Sequence, residues 1–108
     1  MEHSQVVRSL AALAQSIRLQ VFRLLVVAGK TGLTPGAMAS ALCIPANTLS
    51  FHLKELSHAG LVTQERVSRN IVYRVDFDQM SALLGYLTEN CCEGDSCRVD
   101  SKETQCLC

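Results

Sequence analysis

Tryptophan is absent from this 108-residue sequence, and Phe and Tyr together make up only 5% of it. With so few aromatics, the 48% of hydrophobic residues must build a core mainly from Leu, Val, Ala and Ile. No apolar run approaches the ~18 residues a membrane-spanning helix needs, so no membrane partner is expected. The opening stretch MEHSQVVRSL has no basic start, no continuous apolar core and no cleavage site, which argues against an export signal. The expectation is a cytoplasmic protein. Cysteine is scarce in the body, where Cys43 stands alone, while Cys91, Cys92, Cys97, Cys106 and Cys108 crowd the end. A secreted disulfide scaffold would spread its cysteines to staple distant loops. Clustered in one tail of a cytoplasmic chain, they point to metal binding or redox chemistry instead. A Cys-x-x-C motif at a helix start is missing, as is any evident base beside a nucleophile, so no enzyme is expected.

The formal net charge is zero, but it is unevenly spread. Residues 1–75 carry eight Lys and Arg against three acids, and residues 76–108 carry two against seven. A basic body with an acidic tail suits a polyanion partner for the body and a separate task for the tail. The length allows one domain with a single modest core.

Periodicity orders the body. Val6, Leu10 and Leu13 recur at helical spacing over residues 4–14. Ser16 is a candidate cap for a second helix with the stripe Ile17, Val21, Leu24, Leu25, Ala28 and the stop Gly29. In LTPGAMASAL, Thr34 is a natural N-cap and Pro35 fits the first helical position, where its missing N–H costs nothing. Leu33 and Met38 then stand as a hydrophobic staple. A fourth helix is expected from about Ala46 to Ala59, with Leu49, Leu53 and Leu56 inward and Asn47, Ser50, Phe51, Lys54 and His58 outward. Two helices joined by a tight turn, the second with a polar face, make a helix-turn-helix. LVTQERV, SRN and IVYRV then read as a β-hairpin with an Arg-bearing tip. Asp76, with Gln79 three residues on, opens a last helix with the stripe Met80, Leu83, Leu84, Leu87, expected to run to about Asn90. The fold class is therefore mainly α with a β-hairpin wing, a winged helix-turn-helix in the order α-α-α-α-β-β-α. Residues 1–91 are expected to form this winged-helix domain and residues 92–108 a cysteine-rich C-terminal tail.

That order, with ALAQSIRLQVFRLL, SFHLKELSHAGLV and RNIVYRV, resembles the ArsR/SmtB family of winged-helix repressors over roughly residues 6–91. The resemblance implies double-stranded operator DNA as partner and release when a metal or metalloid binds. It also implies a homodimer joined by the first and last helices, placing Val6, Leu10, Leu13, Leu83, Leu84 and Leu87 at the interface. The family's arsenic site at the start of the third helix would fall on Thr34 and Gly36, and so is missing here. Its zinc site on the last helix needs Asp and His; this stretch has Asp78 but no His. What remains is ENCCEGDSC, which resembles a smaller arsenical-repressor subgroup with thiolates just past the last helix.

Candidate DNA contacts follow from chemistry and place. Lys54, Arg66 and Arg69, with Arg18 and Arg74 as further candidates, suit phosphates, which give affinity without sequence information. Asn47, Thr48, Ser50 and Phe51 begin the recognition helix, where side chains reach base edges in the major groove. His52 and His58 are expected to support packing or touch the DNA backbone rather than bind metal, and Cys43 to be a small buried hydrophobe. In the tail, Cys91, Cys92 and Cys97 supply three soft thiolates, with Gly94 free to turn the chain. Zinc wants four ligands and would need Cys106 or Cys108 as well; disulfide switching is a third option. On the residues alone zinc leads; with the resemblance, trivalent arsenic or antimony does, as inducer and with no organic cofactor. The phase of the last helix aligns Cys91 with Met80, Leu84 and Leu87 and sets Cys92 about 100° away, so one ion holding both would bend or unwind that helix end.

Overall fold

The computed structural model describes residues 1–89, in the order α1 His3–Leu13, α2 Ser16–Ala28, α3 Pro35–Leu42, α4 Ala46–His58, β1 Val62–Val67, β2 Asn70–Val75 and α5 Phe77–Leu87. This is the expected winged helix-turn-helix. The proposed tail ligands Cys91, Cys92, Cys97, Cys106 and Cys108, and the division at residue 91, lie outside the described residues. Among those residues, no single helix is long and apolar enough to cross a membrane.

Local chemistry explains most element ends. Thr34 accepts from the Ala37 N–H at 3.3 Å and Pro35 opens α3, while the staple residue Met38 is fully buried. At the end of α4, Gly60 takes φ +80°. There the Leu61 N–H reaches the Leu56 carbonyl and the Gly60 N–H the Ser57 carbonyl, at 3.1 and 3.0 Å. This is a Schellman motif, and Leu56 and Leu61 supply its apolar pair. Asp76 caps α5 by accepting from the Gln79 N–H at 3.1 Å.

Three expectations need correction. The cap of α2 is Gln15, whose side chain accepts from the Arg18 N–H at 2.9 Å; Ser16 is already helical. Helix α5 stops at Leu87, short of Asn90, where Thr88 turns its hydroxyl onto the Leu84 carbonyl at 2.9 Å. The helical phase extended to Cys91 therefore has no described helix to carry it. Cys43 is exposed rather than buried. It occupies the left-handed position after α3, φ 55°, usually taken by glycine, and the next residue, Ile44, packs against the core instead.

The core gathers Val21, Phe22 and Leu25 of α2, Met38 of α3, and Leu49, Leu53 and Leu56 of α4, closed by Leu61, Val62 and Val75. Truncating one such leucine to Ala costs about 2–5 kcal/mol, so the pose of α4 is firmly held. The wing is an antiparallel pair in register Val62↔Val75 through Val67↔Asn70. Its base is tied to the segment before α3, because Leu33 and Tyr73 exchange both backbone hydrogen bonds, at 3.0 and 2.8 Å. Arg74 adds a bond to the Lys30 carbonyl at 2.7 Å and an ion pair to Glu65 at 2.8 Å.

Candidate nucleic-acid interface

Helix α4 buries Leu49, Leu53 and Leu56 on one side, which leaves Asn47, Ser50, Phe51, Lys54 and His58 exposed on the other. Thr48 is half-buried. Its N–H is held by the Asn47 side-chain oxygen at 2.9 Å, so the Asn47 amide group remains to face a partner. Proline at position 45 leaves the helix start without a side-chain cap, yet α4 still begins at Ala46. The free amides of that first turn and the helix dipole favour an anionic neighbour.

On the wing, Arg66 and Arg69 are exposed, with Arg69 the second residue of the two-residue loop Ser68–Arg69. Glu65, the acid of the hairpin, is paired with Arg74, the one ion pair among the described residues. That pairing leaves the wing positive through Arg66 and Arg69 and occupies Arg74 structurally, so Arg74 is a poor phosphate contact.

Arg18 is likewise committed within the fold. Its Nε donates to His52 Nδ1 at 3.2 Å, and a terminal nitrogen donates to the Ala12 carbonyl at 3.4 Å, near the end of α1. Its guanidinium carbon stands 5.9 Å from the centre of the exposed Phe51 ring. The Phe51 and His52 rings meet edge-on at 5.4 Å. His52 is 5% exposed, and its pKa is lowered by burial first and by the Arg18 charge second, with Glu55 opposing. An Nδ1 that accepts from Arg18 carries no proton, so the ring is neutral. The sequence gives no sign of this contact, because the partners are 34 residues apart.

The expected interface residues divide. Leu10, Leu84 and Leu87 are exposed, and Val7 beside them is too; Leu13 is half-buried against the core. Val6 and Leu83 are buried within the protomer's own packing, leaving little surface for a second chain. A His3 Nδ1 to Tyr86 hydroxyl contact of 3.2 Å ties α1 to α5. Among the described residues, no group of three or more His, Cys, Asp or Glu could hold a metal ion. At the third-helix position, Thr34 offers a hydroxyl already spent on capping.

A helix-turn-helix domain family matches residues 13–65. The solved homodimeric winged helix-turn-helix DNA-binding domain of a Mycobacterium bovis protein, described as "a possible ArsR-family transcriptional regulator", is 30% identical; the alignment covers 88% of each chain, with a TM-score of 0.63. The chain belongs to the ArsR family of winged-helix transcriptional regulators. An ArsR-like transcriptional regulator from Rhodococcus sp. RHA1 shares the fold at TM-score 0.74 and 24% identity, over 86% of this chain and 85% of that one. A protein described as "Possible transcriptional regulator for arsenical resistance" is 28% identical over 74% of this chain and 83% of its own, with a TM-score of 0.59. A search of curated proteins found no match.

Proposed function

We propose that this ArsR-family regulator is a homodimeric repressor that holds double-stranded operator DNA and releases it when trivalent arsenic or antimony binds Cys91, Cys92 and Cys97. The observation that carries the DNA half is the exposed row Asn47, Ser50, Phe51 and Lys54 beside a wing whose Arg66 and Arg69 are unpaired among the described residues. Exposed Leu10, Leu84 and Leu87 on α1 and α5 support a dimer through those helices, and the M. bovis relative is homodimeric. The inducer half rests on the tail chemistry and on the relative linked by its description to arsenical resistance. Three thiolates match the three-coordinate pyramid of a trivalent metalloid, with Cys106 and Cys108 as further donors. Zinc or cadmium, or disulfide formation at the same cysteines, is the alternative trigger. Release is a negative coupling of about 1–3 kcal/mol and is reciprocal, so operator DNA weakens arsenite binding by the same factor.

The test starts with a duplex selected from random sequence by the reduced protein. The bound complex is titrated in turn with arsenite, antimonite, zinc, cadmium and peroxide. Arsenite and antimonite should release the DNA, and Cys92→Ser should blunt the response. Release by zinc or cadmium alone, or by peroxide alone, would move the trigger to the alternative. Full arsenite response in Cys92→Ser would count against the three-thiolate site.

A further inference from the structure

The Arg18 contact joins three things that a DNA-reading helix otherwise keeps apart: an exposed aromatic, a buried imidazole and the end of another helix. We infer that Arg18 and His52 are positioning residues that clasp Phe51 in its base-reading pose, and that protonation of His52 opens the clasp. The inference rests on the DNA reading proposed above.

Phe51 is 55% exposed, so core packing does not fix its ring. Its neighbours are Arg18, whose guanidinium carbon is 5.9 Å from the ring centre, and the His52 ring, tilted at 65° with its centre 5.4 Å away. Arg18 is in turn anchored at two points, His52 Nδ1 and the Ala12 carbonyl. Remove the first anchor and the guanidinium loses its aim over Phe51.

Protonation does remove it. A proton on Nδ1 replaces an acceptor with a donor facing the Arg18 N–H, and sets two positive charges against each other at hydrogen-bond distance. The charged groups around His52 decide how readily this happens. Arg18 from α2 opposes the proton, and Glu55 on α4 itself favours it. Arg8 from α1 lines the adjoining cleft with Arg18, Glu55 and His58. Helix α3 brings no ionisable side chain. The balance is cationic, so a neutral His52 is the resting state and acid the opening signal.

Protonation also adds a positive charge that helps any DNA bind, so raw affinity is the wrong readout. The specificity ratio, affinity for the selected duplex over a scrambled one, cancels that common gain. It should fall about tenfold in the wild-type full chain as pH is lowered from 7.5 through the range below 6.5 in which His52 takes up its proton. In His52→Asn, whose side-chain oxygen replaces the Nδ1 acceptor and takes up no proton in this range, the ratio should stay flat. Arg18→Met, which keeps an apolar stem and loses the fork, should be low and flat across the same range. It serves as the second variant if His52→Asn folds poorly. Selection repeated with Arg18→Met should also blur the preference at the base Phe51 touches, whereas a merely structural role would weaken all duplexes alike. If wild type and His52→Asn show the same pH dependence, the clasp is overturned while DNA reading stands. If wild type enriches no sequence at pH 7.5, the DNA reading falls and the clasp falls with it.

Discussion

Gly32 shows how one residue without a side chain can fix an element. It sits at φ +71°, and a Cβ there would lie 2.6 Å from both the Tyr73 carbonyl oxygen and Val72 Cγ1. Gly32→Ala should cost about 2–4 kcal/mol in a urea titration, from left-handed strain plus overpacking. The same change at Gly36, where nothing lies within 4 Å, should stay within about 1 kcal/mol of wild type. Equal losses at both positions would refute the close-approach argument. His52 gives a second prediction at this scale, now for stability. Its folded pKa lies below the ordinary 6.5, so between those values the unfolded chain binds more protons. Stability from this group is therefore complete above 6.5 and is lost as pH falls toward the folded value. The urea midpoint should drop more between pH 7.5 and 5.5 in wild type than in His52→Asn.

Among the elements, α4 and the wing should divide affinity and specificity between them. Arg69→Ala should weaken binding about equally on every duplex and lower the salt slope of log K by about 1. Asn47→Ala should change preference at one base and leave that slope alone. Identical effects from the two would mean that the wing is not the phosphate contact. The helices themselves were legible from apolar spacing, because burial of Leu49, Leu53 and Leu56 and the Thr34–Pro35 start are local patterns. The Gly29–Thr31 single turn of 3-10 helix and the Leu33–Tyr73 bridge were not, since a bridge spanning forty residues leaves no mark in either strand's own sequence. The hydrophobic character of Cys43 predicts burial, but its left-handed backbone at φ 55° overrides that preference. In the left-handed position after this helix the Cys43 side chain is exposed and the following residue packs, so the half-buried Ile44 is the one that meets the core. The charge of Arg18 makes it a further phosphate candidate in the sequence; its bonds to His52 and Ala12 exist only in the folded chain.

At the scale of the whole molecule, the apolar surface on α1 and α5 separates two roles that share one hydrophobic stripe. Leu84 is 53% exposed and Leu83 only 4%. On the homodimeric reading proposed above, Leu84→Glu should leave the protomer folded and turn the dimer into a monomer in sedimentation, with loss of high-affinity DNA binding. Leu83→Ala should instead cost about 2–5 kcal/mol of stability. A Leu84→Glu protein that still sedimented as a dimer would place the interface elsewhere.

The fastening of the wing at its base has a consequence for how such proteins change over generations. Leu33 and Lys30 hold the hairpin through Tyr73 and Arg74 of β2, while Val67, Ser68 and Arg69 at the far end are exposed and have no bond to the rest of the body among the described residues. Residues inserted between Ser68 and Arg69 would lengthen the reach along the duplex and leave the core untouched, whereas one residue inserted between Gly32 and Leu33 would break the seam. Wing length is thus open to lineage-by-lineage adjustment, and the spacing from Lys30 to Pro35 is not.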